Sequence, residues 1–128
     1  MHNEKSFALE ISRLDHVTIE VTDVQEALEF YVMVLGLEEM QIPEEIKING
    51  IRWLRLPQDQ ALHLVETKDA KISDTAHLAI SVEELEMWEK YLNNHNIVTH
   101  PPKFDIYKAK RFFFKDPFGN RIEFLKRL

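Results

Sequence analysis

The chain of 128 residues contains no cysteine. That excludes a disulfide scaffold, a thiolate metal site and a cysteine nucleophile together. Any metal it holds must be bound through nitrogen and oxygen. Long apolar runs are missing too: nothing approaches the roughly 18 consecutive apolar residues of a membrane span, so no membrane is expected as a partner. The opening MHNEKSFALEISRLDH lacks an extended apolar region, so the expectation is no secretory signal and a cytoplasmic location. There is no basic stripe: 16 Lys and Arg are scattered among 22 Asp and Glu, a net charge of -6. Nucleic acid is therefore not an expected partner. What remains is 45% hydrophobic and 30% charged, an ordinary globular balance. The length suits one compact domain with a sizeable core.

The chain carries a repetition. Residues 16–21 read HVTIEV and residues 77–82 read HLAISV. Both alternate as a two-faced strand does. Val17, Ile19 and Val21 share one face and leave His16, Thr18 and Glu20 on the other. Leu78, Ile80 and Val82 likewise leave His77, Ala79 and Ser81 opposite. A helix is predicted after each strand. Asp23 and Glu26 have capping-box spacing, Val24, Leu28, Tyr31 and Leu35 recur at helical spacing, and Gly36 is a stop. In the second half Ser81 and Glu84 have the same box spacing, and Leu85, Trp88 and Leu92 supply the apolar face. Three strand-like runs follow each helix, at 37–42, 50–56 and 61–66, then at 97–100, 109–115 and 121–126. The turns at 57–60 and 116–120 are rich in turn formers.

The expected fold is therefore α+β, with two tandem βαβββ modules forming a curved mixed sheet around a cleft. Residues 1–13 read as an N-terminal extension and 14–128 as one domain, with modules at 14–70 and 74–128. Neither module buries much surface alone, so the two should pack together. The segment 101–108 is the least regular and is expected as a loop over the cleft.

His16 and His77 hold equivalent places in the repeat, and so do His63 and Glu123. An approximate two-fold axis between the halves would let all four meet. Three imidazoles and one carboxylate suit one divalent ion: Zn, Ni, Co, Mn or Fe. Burying such a set without a partner is costly. His2, His95 and His100 read as terminal or surface residues. Trp53, Phe112, Phe113, Phe114 and Phe118 read as core before pocket lining. Arg52, Arg55, Lys110 and Arg111 read as exposed strand charges before anion ligands. Whether the halves pair within one chain or are exchanged between two copies is open.

These residues also resemble a known family. DHVTIEVTDVQEALEFYVMVLGLE, AHLAISV and FFFKDPFGNRIEFL are similar to the first strand and helix, the fifth strand and the closing motif of the vicinal oxygen chelate superfamily. The resemblance spans residues 14–126. It implies the glyoxalase/bleomycin resistance/dihydroxybiphenyl dioxygenase fold and a homodimer. It also implies a small-molecule substrate chelated through adjacent oxygens, with metal ligands at His16, His77, Glu123 and His63. Glu123 would also be the catalytic base of a lyase or isomerase reaction. Glyoxalase I itself carries Glu or Gln where this chain has His63. Four ligands leave about two open positions on an octahedral ion, one fewer than extradiol ring cleavage needs. The potassium-site loop of fosfomycin-modifying thiol transferases is not found. The rival of another class is a non-catalytic drug-sequestering protein.

Overall fold

The computed structural model describes residues 8–128; His2 and the start of the N-terminal extension lie outside these. Among the described residues, seven strands and three α-helices follow in order. They are β1 (His16–Val21), α1 (Val24–Leu28), β2 (Glu38–Glu39), α2 (Glu44–Lys47), β3 (Ile51–Leu56), β4 (Gln60–Glu66), β5 (His77–Ser81), α3 (Leu85–Asn94), β6 (Ala109–Lys115) and β7 (Arg121–Arg127). Asp23 starts α1 as expected, its Oδ1 accepting from the Glu26 amide at 3.0 Å. A second orphan donor, the Val24 amide, is taken by Glu66 Oε2 at 2.9 Å. After Leu28 the helix widens into a π turn, Glu29–Val34, where the Leu35 amide reaches back to the Phe30 carbonyl. Gly36, at φ +81°, ends it in a conformation that costs other residues about 1 kcal/mol or more.

The strands form two mixed sheets of the same plan, β1-β4-β3-β2 and β5-β7-β6. In each, the first strand runs parallel to the last, which pairs antiparallel with its hairpin neighbour. The two outer strands β1 and β5 lie side by side. Leu14, His16 and Val17 share a hollow with Leu78–Ser81, while Val17–Glu20 share another with His77 and Leu78. The start of β1 therefore lies by the end of β5, and the end of β1 by the start of β5.

Burial follows the predicted alternation. Val21, Leu54, Leu62, Leu64, Phe112, Phe114, Ile122 and Phe124 form one core with Ala27, Phe30 and Tyr31 from the first helix and Leu92 from α3. Val17, Ile19, Leu78 and Ile80 pack against it. The other face of β1 and β5 is open: His16, Thr18, Glu20, His77, Ala79 and Ser81 are all exposed.

Three local expectations are corrected. The strand expected at 37–42 is ladder only at Glu38–Glu39, extended by one bond from the Met40 amide to the Trp53 carbonyl, and the chain then turns through Pro43 into α2. The strand expected at 97–100 is a single bridge between His100 and Phe113: before it the Ile97 amide is taken by the Leu92 carbonyl at the end of α3, and after it Pro101 and Pro102 have no amide to donate. The capping box of the second helix does not form. Ser81 stays in the β5 ladder opposite Leu125, and Glu84 precedes α3 without a side-chain cap.

The turn at 116–120 joins the two modules. Asp116 Oδ1 accepts from the amides of Phe118 (3.0 Å) and Asn120 (2.7 Å). Its Oδ2 accepts from the buried Tyr31 hydroxyl at 2.7 Å and from Asn120 Nδ2 at 2.8 Å. Asn120 Nδ2 also donates to the Glu20 carbonyl at 2.9 Å.

Candidate metal site

On the open face of the first sheet, His63 of β4 lies between two other rings. The His16 ring stacks on it with centroids 4.0 Å apart and the Trp53 ring with centroids 4.4 Å apart, at interplanar angles of 14° and 7°. Register explains the contact: Trp53 and Thr18 are the strand neighbours of His63, and His16 lies two residues before Thr18. His16 Nδ1 is 2.8 Å from Asp15 Oδ1. That hydrogen bond, more than any other influence, holds the Asp15 carboxyl below its ordinary range. A carboxylate only accepts, so Nδ1 carries a proton, and in the neutral ring the lone pair is on Nε2. Burial, then the neighbouring His16, pushes the His63 pKa down. Both influences favour the neutral ring, the form a metal ligand needs.

On the second sheet His77 and Glu123 form the other pair. Ala79 is the strand neighbour of Glu123, and His77 lies two residues before it. The offset matches that of His16 and His63, so the two halves present their donors in one diagonal register. His77 Nδ1 lies 2.9 Å from the Thr75 carbonyl, which fixes the proton on Nδ1. Nε2 then faces Glu123 Oε1 at 2.9 Å. For a neutral ring these are two acceptors in contact, an arrangement satisfied by a shared proton or by a cation held between them. Glu123 is only 5% exposed, and Arg111 Nη1, 3.3 Å from its Oε2, supplies part of the charge that a carboxylate so buried needs. The oriented nitrogens and the buried carboxylate thus fit a borderline divalent ion.

The four residues come together as two pairs. Among the described residues, no group of three or more His, Cys, Asp or Glu is close enough to hold an ion. His16 borders the hollow of about 320 Å³ that reaches Ser81, and His77 borders the one of about 280 Å³ that reaches Glu20. At about 3.3 Å per strand residue, the pairs stand on the order of 13 Å apart along the seam between β1 and β5.

The remaining residues sort by face. Phe112 and Phe114 belong to the core, and Phe118 packs against it, while Trp53 and Phe113 lie on the open face with the four donors. Arg52 and Lys110 lie on the helix-covered face, opposite Leu64 and Lys126 in register. His95 and His100 are exposed. Arg111 is the residue that sequence reasoning undervalued. Its side chain is 15% exposed, and Nη1 lies 3.3 Å from Glu123 Oε2. Strand parity was the available signal. Arg111 lies two residues before Phe113, the register partner of Glu123, so it shares that face. The Arg121 guanidinium stacks on Phe113, 4.1 Å from the ring centroid.

The chain is similar to known proteins. The profile of the Glyoxalase/Bleomycin resistance protein/Dioxygenase superfamily matches residues 13–124. The metallothiol transferase FosB of Staphylococcus saprophyticus is 27% identical over 118 residues, 88% of this chain and 76% of that protein. The crystal structure of a glyoxalase family protein from Bacillus anthracis superposes with a TM-score of 0.85 at 29% identity, covering 95% of this chain and all of that one. A glyoxalase family protein from Enterococcus faecalis gives a TM-score of 0.72 at 28% identity, covering 88% and 96%.

Proposed function

The chain belongs to that superfamily, and on this premise we propose that it is a divalent-metal-dependent enzyme working as a homodimer. Each site combines His16 and His63 of one copy with His77 and Glu123 of the other. One observation carries the reading: the two halves offer donor pairs in identical diagonal register on an open face, yet at opposite ends of the seam. An isologous two-fold pairing makes the first pair of each copy face the second pair of its partner, twice over. It also covers the exposed face of β1 and β5.

The substrate is a small molecule with two adjacent oxygens. A bound divalent ion supplies the positive charge that polarises those oxygens. Asp15 and the Thr75 carbonyl aim the His16 and His77 rings. Trp53 and Phe113 wall the site and exclude water. Glu123 is the ligand that doubles as base, moving a proton at a substrate carbon next to a polarised oxygen. Lyase or isomerase chemistry follows.

A second reading, metal-assisted thiol transfer, is favoured by the similarity to metallothiol transferases. It is also favoured by Arg111, which ties the second oxygen of Glu123 and suits it to a fixed ligand more than to a mobile base. Proton exchange in deuterated water separates the two. The lyase or isomerase reading expects substrate carbon-bound hydrogen to wash out with the wild type and to be retained with Glu123→Gln. The transfer reading expects no washout and consumption of a thiol. Protein that stays metal-free after dialysis against Zn²⁺ or Mn²⁺ would instead mark a metal-independent binding protein.

A further inference from the structure

We propose that Arg111 is a positioning residue that ties the orientation of the Glu123 carboxylate to the 101–108 loop. Its guanidinium is forked between the two. Nη1 reaches Glu123 Oε2, and Nη2 donates to the Phe104 carbonyl. Among the described residues, that second bond is the only hydrogen bond from residues 101–107 to the rest of the chain. On one side the His100–Phe113 bridge ends before the loop, and on the other the Lys108 carbonyl accepts from the Leu128 amide. Pro101 and Pro102 have no amide to contribute. Phe104 and Tyr107, 70% and 85% exposed, are thus apolar groups on a segment hydrogen-bonded to the rest of the described chain through one side chain.

The fork is half engaged. The contact to Glu123, at 3.3 Å, is longer than the roughly 2.7–2.9 Å of a good charge-assisted bond. Arg111 Nε, meanwhile, is buried without a partner. An orphaned buried donor is costly. Oε1 of Glu123 is engaged with His77, and a turn of the carboxylate off His77 presents an oxygen to Nε, closing the two-pronged guanidinium–carboxylate pair. Any ligand that draws Glu123 away from His77 therefore shifts Arg111, and with it the loop that holds Phe104 at the rim of the site. For a bound ion this rests on the metal reading above. The tie from Glu123 through Arg111 to the loop does not.

The test uses nitrogen-15 relaxation of residues 103–108 and the Nε–Hε resonance of Arg111 in the full chain. In wild-type protein the loop should be nearly rigid, with order parameters of about 0.8. Arg111→Met and Glu123→Gln should each lower them toward about 0.6, and the double variant should add little more. Arg111→Lys, which keeps one donor, should restore part of the order. Should Arg111→Met fail to fold, Arg111→Lys and Glu123→Gln carry the comparison. Adding Zn²⁺ should move the Nε–Hε resonance of the wild type and leave the loop of Arg111→Met unchanged. A loop that keeps wild-type order in Glu123→Gln overturns the proposal, whether or not the metal binds. Absence of Zn²⁺ binding with a loosened Glu123→Gln loop would sink the metal reading and leave the positioning role standing.

Discussion

The Tyr31 hydroxyl, contributed by the first module, donates to Asp116 Oδ2 of the second at 2.7 Å. Both groups are buried. Asp116 is also the acceptor that shapes the turn before β7, the strand carrying Glu123. One hydrogen bond thus ties the first helix to the placement of a candidate ligand. Tyr31→Phe should destabilise the fold by about 1–3 kcal/mol, since it leaves a buried carboxylate oxygen short of a donor. Urea denaturation monitored by circular dichroism measures this, and an unchanged midpoint would remove the bond from the account.

The same bond has a pH signature. Burial, then the charge and hydrogen bond of Asp116, raise the Tyr31 pKa well above its ordinary value of 10.0. The folded state holds its proton more tightly than the unfolded chain. The stability is fully present below the unfolded pKa and is lost as pH rises through the folded one. Wild type should therefore lose more stability than Tyr31→Phe as pH rises above about 10. Parallel alkaline melting curves would contradict this.

His63 should titrate below its ordinary 6.5, because burial and the adjacent His16 disfavour the imidazolium. The depressed value means that its share of stability is present above 6.5 and is lost as pH falls through the folded pKa. Proton NMR of the apo protein reads the midpoint directly. A value at or above 6.5 would mean that the stack with Trp53 and His16 does not persist in solution.

Asp15→Asn should weaken metal binding by about 10–100-fold, as loss of a histidine-orienting carboxylate commonly does. Calorimetric titration with Zn²⁺ gives the constant. An affinity equal to wild type would show that His16 needs no orientation from Asp15.

Much of this was legible in the residues. The alternation in HVTIEV and HLAISV gave the faces of β1 and β5 correctly. The repeat also matched His16 with His77 and His63 with Glu123, pairs whose equivalence the register bears out. Local chemistry named the Asp23 cap and the Gly36 stop. Weakly paired edges were not legible. Residues 37–42 and 97–100 have strand-like composition, but only Glu38–Glu39 and the single bridge at His100 find ladder partners, and the prolines that follow prevent extension. The role of Arg111 was hidden because an arginine on a strand is ordinarily solvated, and only the β6–β7 register aims it at Glu123. Nor does a repeat say whether its halves close on each other or on a second copy.

That question has a direct measurement. One variant lacks the first pair (His16→Ala, His63→Ala) and another lacks the second (His77→Ala, Glu123→Gln). Each alone should retain no tightly bound metal. After mixing under conditions that exchange subunits, a mixed dimer has one intact site and one doubly damaged one. Metal analysis of the equimolar mixture should then recover about a quarter of the wild-type metal content, from half the dimers carrying one site of two. No recovery from subunits shown to have exchanged, with full metal content in the wild type, would place all four ligands in one chain and contradict the shared site.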